Sequence, residues 1–530
     1  MGITQRLLQL PISLQLVLVA SAILLPYTLY HFFLHPLAGL PGPLSAKLGL
    51  PLFPFLHAYR RDYVWALAQQ HARYGPIVRI APNHVSFTSA RAVEKIYAHG
   101  SAKYLKTDFY KSFQVYWGRP SLFSDVDPHS HADRRRAMAS AYAMSYLVKL
   151  EECVEPCVDL LVEQFERMVG EAEKSKASID MAKWMHFFAM DAVGELAFGR
   201  GFEFLEKGSD PNNFLLGVSN LSHWGSMAGF LTPLLSRPAR VVLKWLSGEP
   251  GGEVVGVATR ARIDARYKAE AAGLVDRQDM LTKIIRAKHP STGRQYDAND
   301  SLRTAISVVG AGSDTTSVAL SAFFGYLVRN GKVYEDLQRE IDEAFERGDL
   351  SLPAKYSKGV QLELLQACIK ETLRLHPPIS MSLPRLVPHG GDVIDGRFFP
   401  ANTNVSVSSF VLHRTKEAFG DDAAEWNPYR WIGLDEQTRR EMERVNLSFG
   451  AGNRQCIGKN ISLMEITKVL PTLLYRFRFD FVPRDRSQRR RVPRDSNGSE
   501  AEPATTPWRT NSTWFLDVED LVLEVSQREV

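Results

Sequence analysis

Asn446–Gly458 reads NLSFGAGNRQCIG. Phe449, Gly450, Gly452, Arg454, Cys456 and Gly458 fall in the order F-G-x-G-x-R-x-C-x-G. The next stretch, Lys459–Leu474, is helix-compatible and carries apolar side chains at Ile461, Met464, Leu470 and Leu473. A glycine-rich loop therefore delivers one cysteine to the start of a helix. Unpaired backbone N–H groups and the positive end of the helix dipole favour a thiolate at such a place. The glycines let the backbone pass close to something flat and large. Arg454, two residues before the cysteine, is placed to reach an anion on that object.

A thiolate on a loop that clasps a planar dianion reads as a haem ligand. With average residue usage, a six-position match arises by chance on the order of once in 100,000 chains of this size. The plain alternative is a buried cysteine in a Gly-rich turn, and it is outweighed by further motifs that follow in order along the chain. The loop resembles the haem-binding loop of cytochrome P450 monooxygenases. That resemblance implies a mainly α fold with a small β region, preceded by one N-terminal transmembrane helix. It makes Cys456 the axial ligand of haem b, with Phe449 and Arg454 as further haem contacts.

Composition agrees with a large globular chain. The 530 residues are 45% hydrophobic and 23% charged, with a net charge of +5, which indicates nothing stronger than a locally basic face. The four cysteines, Cys153, Cys157, Cys368 and Cys456, are too few for a disulfide framework. Cys153 and Cys157 are one helical turn apart, but no second Cys or His pair completes a zinc site.

Ile12–Phe33 contains no Asp, Glu, Lys or Arg and is long enough to cross a bilayer as a helix. Pro26 would kink it, which membrane helices tolerate, and Tyr27, Tyr30 and Phe32–Phe33 suit an interfacial belt. A signal-peptide cleavage site at Ala20-Ser21-Ala22 would lie inside the apolar run rather than after it, which favours an anchor. The charge bias is weak, so the residues leave orientation open. His35–Pro43 holds three prolines and two glycines, which forbid helix and make a stiff, bent connector. It resembles the hinge of microsomal P450s, especially fungal ones. The division expected is an anchor at 1–34, a hinge at 35–43 and a catalytic domain at 44–530. By resemblance that domain faces the cytoplasm from the endoplasmic reticulum membrane, and the sequons at Asn220, Asn446, Asn497 and Asn511 stay unused.

Tyr74–Phe87 alternates apolar residues around Pro82-Asn83 and predicts a hairpin. Residues 130–350 are dominated by helical apolar patterns. His131 and Arg135 share a helix face. A solvated basic face is the plain reading of this stretch, while in the family such a pair contacts haem propionates. Arg134, Arg136 and Lys459 offer a basic face for an acidic electron donor. Phe214–Leu246 is unusually apolar, with Trp224, Met227, Phe230, Leu234, Leu235 and Trp245. It suits a membrane-dipping or substrate-entrance segment as well as it suits helix packing.

Leu302–Phe324 is a helical pattern interrupted by Gly310-Ala311-Gly312-Ser313-Asp314-Thr315-Thr316. Glycines and paired threonines weaken a helix, and a Thr hydroxyl competes for a backbone carbonyl. This opens a pocket in the helix wall, where Asp314 and Thr315 would relay protons and order water. All six positions match the family's A/G-G-x-D/E-T-T oxygen-activation segment. A dinucleotide fingerprint is the competitor, but Thr315 stands where its third Gly belongs and no strand precedes it.

Glu371 and Arg374 form E-x-x-R, followed by Leu375-His376-Pro377-Pro378. In the family, an arginine corresponding to Arg430 in Asn427-Pro428-Tyr429-Arg430-Trp431 joins this pair in a buried charge network. Tyr429 stands where Glu is commoner, which puts extra acidic contacts in doubt. Arg385, after Pro384, resembles a further propionate contact. Pro483–Thr506 is polar and arginine-rich and reads as a disordered surface insertion; it lacks the aromatic interleaving of a nucleic-acid patch. Trp508–Val525 resembles the family's final hairpin.

The resemblance implies a monooxygenase that activates O2 with electrons from NADPH. These would arrive through a separate NADPH–cytochrome P450 reductase, with cytochrome b5 as a second donor. The reaction expected is hydroxylation or oxidative demethylation of a hydrophobic small molecule in fungal secondary metabolism, and Ala141–Ser145 is similar to pisatin-demethylase-like members. Candidate lining segments are Phe109–Ser124, Phe214–Phe230, Arg303–Ala311, Ile379–Leu383 and Asn511–Phe515. A P450-fold isomerase or dehydratase that needs no O2, and a haem-binding sensor or carrier, are the alternatives; the Asp314-Thr315 pair argues against the first.

Overall fold

Helix α1, Ile12–Leu29, is apolar all round and buries no residue. It continues to Leu34 as a 23-residue span of mean hydropathy 2.0, a length and composition compatible with a single-pass membrane anchor. This is a computed structural model, and it describes residues 11–97, 103–114, 120–210, 212–232, 252–274, 279–482 and 508–529. The stretch expected as a surface insertion, 483–506, lies outside the described residues.

The end of the apolar span is fastened to the domain behind it. The Tyr27 hydroxyl donates to the Gly49 carbonyl at 2.9 Å, and the buried Arg79 guanidinium donates to the His31 carbonyl at 3.1 Å. The proline-rich connector runs as turns rather than helix. At Gly42 an added Cβ would stand 2.1 Å from the Arg79 carbonyl oxygen, so the connector passes the strand Ile77–Ala81 at a distance only glycine permits.

The helices that build the site are α2 (Pro128–Met138), α3 (Met181–Phe198), α4 (Phe214–Leu231), α5 (Ala298–Arg329), α6 (Gly331–Glu346), α7 (Glu363–Leu375) and α8 (Lys459–Arg476). α2 starts as its sequence dictates: the Asp127 side chain accepts from the Ser130 N–H at 2.6 Å and Pro128 takes the first helical position. α5 opens on a capping box between Asp297 and Asp300. Its C-terminal half buries Leu320, Phe323, Phe324 and Leu327 completely or nearly so. Each such side chain contributes about 1.5–3 kcal/mol relative to exposure, which fixes α5 through the main core between α3 and α8.

The strands are short: β1 Ile77–Ala81, β2 His84–Phe87, β3 Lys176–Asp180, β4 Arg385–Leu386, β5 Asp392–Ile394, β6 Arg397–Phe399, β7 Asn404–Val407, β8 Phe477–Phe481, β9 Arg509–Ser512, β10 Leu516–Glu519 and β11 Val522–Gln527. One sheet has the order β1-β2-β7-β4 and another β3-β11-β8, with β5-β6 and β9-β10 as separate pairs. The hairpin expected at Tyr74–Phe87 is β1–β2, antiparallel. The C-terminal stretch divides: β9 and β10 pair with each other, whereas β11 leaves to join β3 and β8. The fold is thus mainly helical with small sheets.

Candidate functional site

Two glycines shape the cysteine loop. Gly450 and Gly452 have φ of +66° and +63°, a region that costs other L-residues strain. The Cys456 N–H donates back to the Phe449 carbonyl at 2.8 Å, closing the loop just before α8 begins. Burial pushes the Cys456 thiol up, while the N–H groups of Gly458 and Lys459 and the Arg135 charge pull the other way. Those donors stabilise a thiolate, as the spacing to α8 requires. The sulfur borders a cavity of about 260 Å³ lined by Arg135, Ala139, Tyr142, Gln455, Lys459 and Asn460, among others.

Beside the loop, basic side chains converge. Arg454 donates to the Asp125 carbonyl at 2.7 Å, Arg135 to the Gln455 carbonyl at 2.8 Å, and Arg385 to the Tyr110 hydroxyl at 2.8 Å. Lys106 is buried and donates to the Phe123 carbonyl. Burial, then the charges of Arg385 and Arg454, hold its ammonium well below the ordinary lysine range. Burial, then Arg454 and Lys106, bring the His131 imidazole down to about 3. Two carboxylates act on this region, but Asp125 is already engaged by Arg134 at 3.1 Å and Asp127 caps α2. So Lys106, Arg385 and Arg454 form a cationic cradle with too little negative charge of its own. A planar group bearing two carboxylates, held by a soft thiolate beneath, matches both the donor set and the missing charge. The residues therefore fit haem b. Lys106 and Tyr110 were not singled out from the sequence, and no local pattern marks them.

α5 runs unbroken through Gly310–Thr316, so the glycines interrupt the apolar pattern and not the helix, while the expected bond from a Thr hydroxyl to a backbone carbonyl is present. Thr315 Oγ1 donates to the Ala311 carbonyl at 2.7 Å, which keeps the bond within the helix. Gly312 serves packing: a Cβ there would lie 2.9 Å from Val193 Cγ2 of α3. Ala311 is nonetheless exposed, and Gly310 and Thr315 are half-buried, within a helix that is otherwise largely buried here. That accessible face is the groove. Asp314 directly precedes Thr315 on α5. Its carboxylate is buried and meets His186 Nε2 of α3 at 2.7 Å. α8 and α5 are joined by the Thr316 hydroxyl donating to Ser462 at 3.1 Å.

The charge network behind the loop is fully assembled. Arg374 Nε and Nη2 each reach one Glu371 oxygen at 2.8 Å, and Arg430 Nε reaches Glu371 at 2.9 Å. Trp431 Nε1 and the Asn427 N–H also donate to Glu371, both at 2.9 Å. Arg374 further donates to the carbonyls of Ala423 at 2.6 Å and Glu425 at 2.9 Å, and to that of His413. The acidic contact in doubt at Tyr429 comes from elsewhere: Asp422 takes Arg430 Nη1 at 2.8 Å, and the Tyr429 hydroxyl turns to Asp336 of α6. His413 connects the network to the cysteine loop. Its Nδ1 donates to the Arg374 carbonyl at 2.7 Å and its Nε2 accepts from the Leu447 N–H at 2.8 Å. The Ser448 hydroxyl adds a bond to the Leu373 carbonyl at 2.8 Å.

Three of the five segments read as lining, Phe109–Ser124, Phe214–Phe230 and Asn511–Phe515, meet in an aromatic cluster. Phe109 lies 5.2 Å from Phe230 between ring centroids, Phe113 4.8 Å from Trp514, and Phe123 5.3 Å from Trp514. Ile379 pairs with Phe515. In α4, Trp224 and Met227 are buried, and Gly225 and Gly229 lie against Phe113 and Phe109, so packing accounts for this half of the apolar stretch. Residues 233–246 lie outside the described residues.

A family model described as Cytochrome P450 matches residues 43–495. Cytochrome P450 monooxygenase gsfF of Penicillium aethiopicum is 35% identical over 480 residues, covering 88% of this chain and 92% of that protein. A cytochrome P450 monooxygenase of Aspergillus terreus is 34% identical over 456 residues, 83% of this chain and 90% of its own length. Pisatin demethylase of Fusarium vanettenii is 31% identical over 463 residues, 85% of each chain. Likeness at this level and over this length decides membership: the chain belongs to the cytochrome P450 family and is a cytochrome P450 monooxygenase.

Proposed function

We propose that the protein hydroxylates or oxidatively demethylates a hydrophobic small molecule of fungal secondary metabolism. Electrons come from NADPH through a separate reductase, with cytochrome b5 as a second donor. Residues 1–34 anchor it in the endoplasmic reticulum membrane, 35–43 are the hinge, and 44–530 form the catalytic domain on the cytoplasmic side. The observation that carries the chemistry is the cationic cradle beside the Cys456 loop, with the accessible face of α5 at Ala311–Thr315 as the companion groove.

In this reading Cys456 is the metal ligand, and His131, Arg135, Arg385, Arg454 and Phe449 hold the cofactor, with Lys106 added to that set. When bound, the haem supplies O2 reduction and the transfer of one oxygen atom to substrate. The chain's own residues supply the conditions. Lys106, Arg385 and Arg454 neutralise the propionates, and neutral His131 donates a hydrogen bond. Thr315 presents its hydroxyl on the groove and orders water there; Asp314 holds the proton that this water delivers. Glu371, Arg374 and Arg430 fix the loop from behind. The aromatic cluster at Phe109, Phe113, Phe123, Phe230 and Trp514 excludes water and favours an apolar ligand.

The test is reconstitution of the haem-loaded full chain with an NADPH–cytochrome P450 reductase in phospholipid vesicles, supplied with apolar metabolites of fungal cultures. The expected result is a saturable shift of the Soret band and an NADPH-dependent product either one oxygen atom heavier or lacking one methyl group. A ligand that shifts the band but is returned unchanged, with NADPH consumed at its basal rate, would overturn the assignment in favour of a carrier. Conversion that proceeds without NADPH or O2 would favour an isomerase or dehydratase.

A further inference from the structure

We propose that His186 is the protonic link between solvent and Asp314, acting as a positioning residue that loads the acid of the α5 groove. The proposal rests on the reading of Asp314 given above.

Three observations lead to it. His186 Nε2 stands 2.7 Å from Asp314 Oδ1, with side chains 25% and 5% exposed. Within Trp184–Gly194 of α3, His186 is the one residue that is not buried. The imidazole therefore touches the acid with one edge while solvent reaches the side chain. The third observation is the company it keeps. Asp314 of α5, Asp517 of β10 and Asp210 ahead of α4 all act on the ring. Asp210 is committed to capping α4 through the N–H groups of Phe214 at 2.8 Å and Leu215 at 2.9 Å. Asp517 accepts from the Thr513 hydroxyl at 3.0 Å. On the Asp314 side, Ser313 Oγ contributes a long contact at 3.5 Å and is itself bonded to the Val309 carbonyl at 2.9 Å.

The electrostatics follow from this arrangement. Burial pulls the His186 imidazole down, but the hydrogen bond and charge of Asp314, aided by Asp517 and Asp210, outweigh it and raise it above the usual histidine value. The Nε2 proton is thus held more firmly than on a free imidazole, in the hydrogen bond to Asp314. Burial and the Asp314 charge push Asp517 up to about 7, so this second carboxyl is part-protonated in the same range. The pair is intact below the ordinary histidine value and is lost as pH rises through the raised one.

The step balances as a proton transfer. The imidazolium gives its Nε2 proton to Asp314 Oδ1, leaving a neutral imidazole and a neutral carboxyl. After Asp314 passes that proton into the groove, the ring turns its bare Nε2 to solvent. It takes a proton from water and returns to the carboxylate. One proton moves from bulk water to Asp314 per cycle. A purely structural tie between α3 and α5 would need none of the solvent access.

The experiment uses the full-length haem-loaded protein in detergent with ¹⁵N-labelled histidine, reduced and carbon monoxide-bound to keep it diamagnetic. The resonances missing in His186→Gln identify the ring. They are expected to titrate with a midpoint above the ordinary histidine value, and that midpoint is expected to fall in Asp314→Asn. In parallel, NADPH-driven O2 consumption with an NADPH–cytochrome P450 reductase is followed across pH in H2O and D2O. His186→Gln is expected to slow it about tenfold or more and to raise the solvent isotope effect. His186→Arg keeps the ion pair and the packing but holds its proton, so it is expected to be slow as well; it also serves if the glutamine variant loses haem. If both His186 variants keep the wild-type pH profile and isotope effect while Asp314→Asn loses rate, His186 is only a tie and the proposal fails. If Asp314→Asn is also unchanged, the reading of Asp314 itself falls.

Discussion

Replacing Arg374 with methionine removes the centre of the charge network without removing much volume. Arg374 and Glu371 are both fully buried. The variant leaves Glu371 with Arg430, Trp431 and Asn427 as donors, and it strips a donor from the carbonyls of His413, Ala423 and Glu425. Removing one partner of a buried pair costs about 3–5 kcal/mol. An acceptor left buried and unpaired costs a further ~1–3 kcal/mol. Against a total stability of about 5–15 kcal/mol, the loss falls where His413 and Ser448 tether the cysteine loop, so the loop loses its support before the rest unfolds. The assay is urea unfolding of the haem-loaded protein in detergent, followed by Soret absorbance and tryptophan fluorescence. Arg374→Met is expected to lose the Soret signal at much lower urea than the fluorescence signal. The double variant Glu371→Gln/Arg374→Met removes the buried net charge and is expected to recover about 1–3 kcal/mol of the loss. A single variant within about 0.5 kcal/mol of wild type and fully haem-loaded would refute the reasoning, as would a double variant worse than the single.

Glu465 is completely buried, and burial, opposed more weakly by the Thr316 hydroxyl, pushes its carboxyl up to about 8. It is neutral in the fold and ionised in the unfolded chain, so its contribution is full below pH ~4.5 and is lost as pH rises to about 8; Glu465→Gln is expected to flatten urea stability over that window. Gly312→Val is expected to force α3 from α5, because Val193 already lies 2.9 Å from the added Cβ. A destabilisation of about 1–3 kcal/mol, partly relieved by Val193→Ala, checks this by the same unfolding assay. Lys106→Met is expected to act with opposite signs on the two states: the apoprotein unfolds at higher urea and the holoprotein gives up haem faster to an excess of a haem-scavenging apoprotein. Equal effects on both would contradict the cradle.

What was legible in the sequence was contiguous. The loop Phe449–Gly458 carries its turn glycines, its anion-reaching arginine and its cysteine within one stretch, and it folds as that spacing dictates. E-x-x-R was readable for the same reason, since one helical turn brings Glu371 and Arg374 together whatever surrounds them. What was not legible depends on chain segments meeting from far away. His186 and Asp314 are 128 residues apart, and nothing near either announces the other. His413 sits in an ordinary apolar turn and becomes the connection between the network and the loop only through Arg374 and Leu447. Gly312 was misread in kind. Helix propensity says glycine weakens α5, but α5 is held by the core on both sides, and the missing Cβ is spent on closeness to α3.

The two buried charge systems answer to different demands. Around Glu371 the count closes: Arg374 and Arg430 face Glu371 and Asp422, and every group has partners from the chain itself. That network stabilises the fold with or without a cofactor. The cradle does not close. Burial first, and then the neighbouring charges, depress the Lys106 ammonium and bring Arg454 to about 10. Burying like charges is a cost that an incoming anion offsets, so in the function proposed above cofactor capture recovers free energy that folding had spent. In that proposed function, binding to the folded state alone then raises stability by mass action, and the cradle contributes to that gain. The position of Arg454 joins the two systems, because it lies in the loop that the closed network holds from behind while its own charge belongs to the open one. A defect in the network therefore loosens the cradle, whereas a defect in the cradle leaves the network whole.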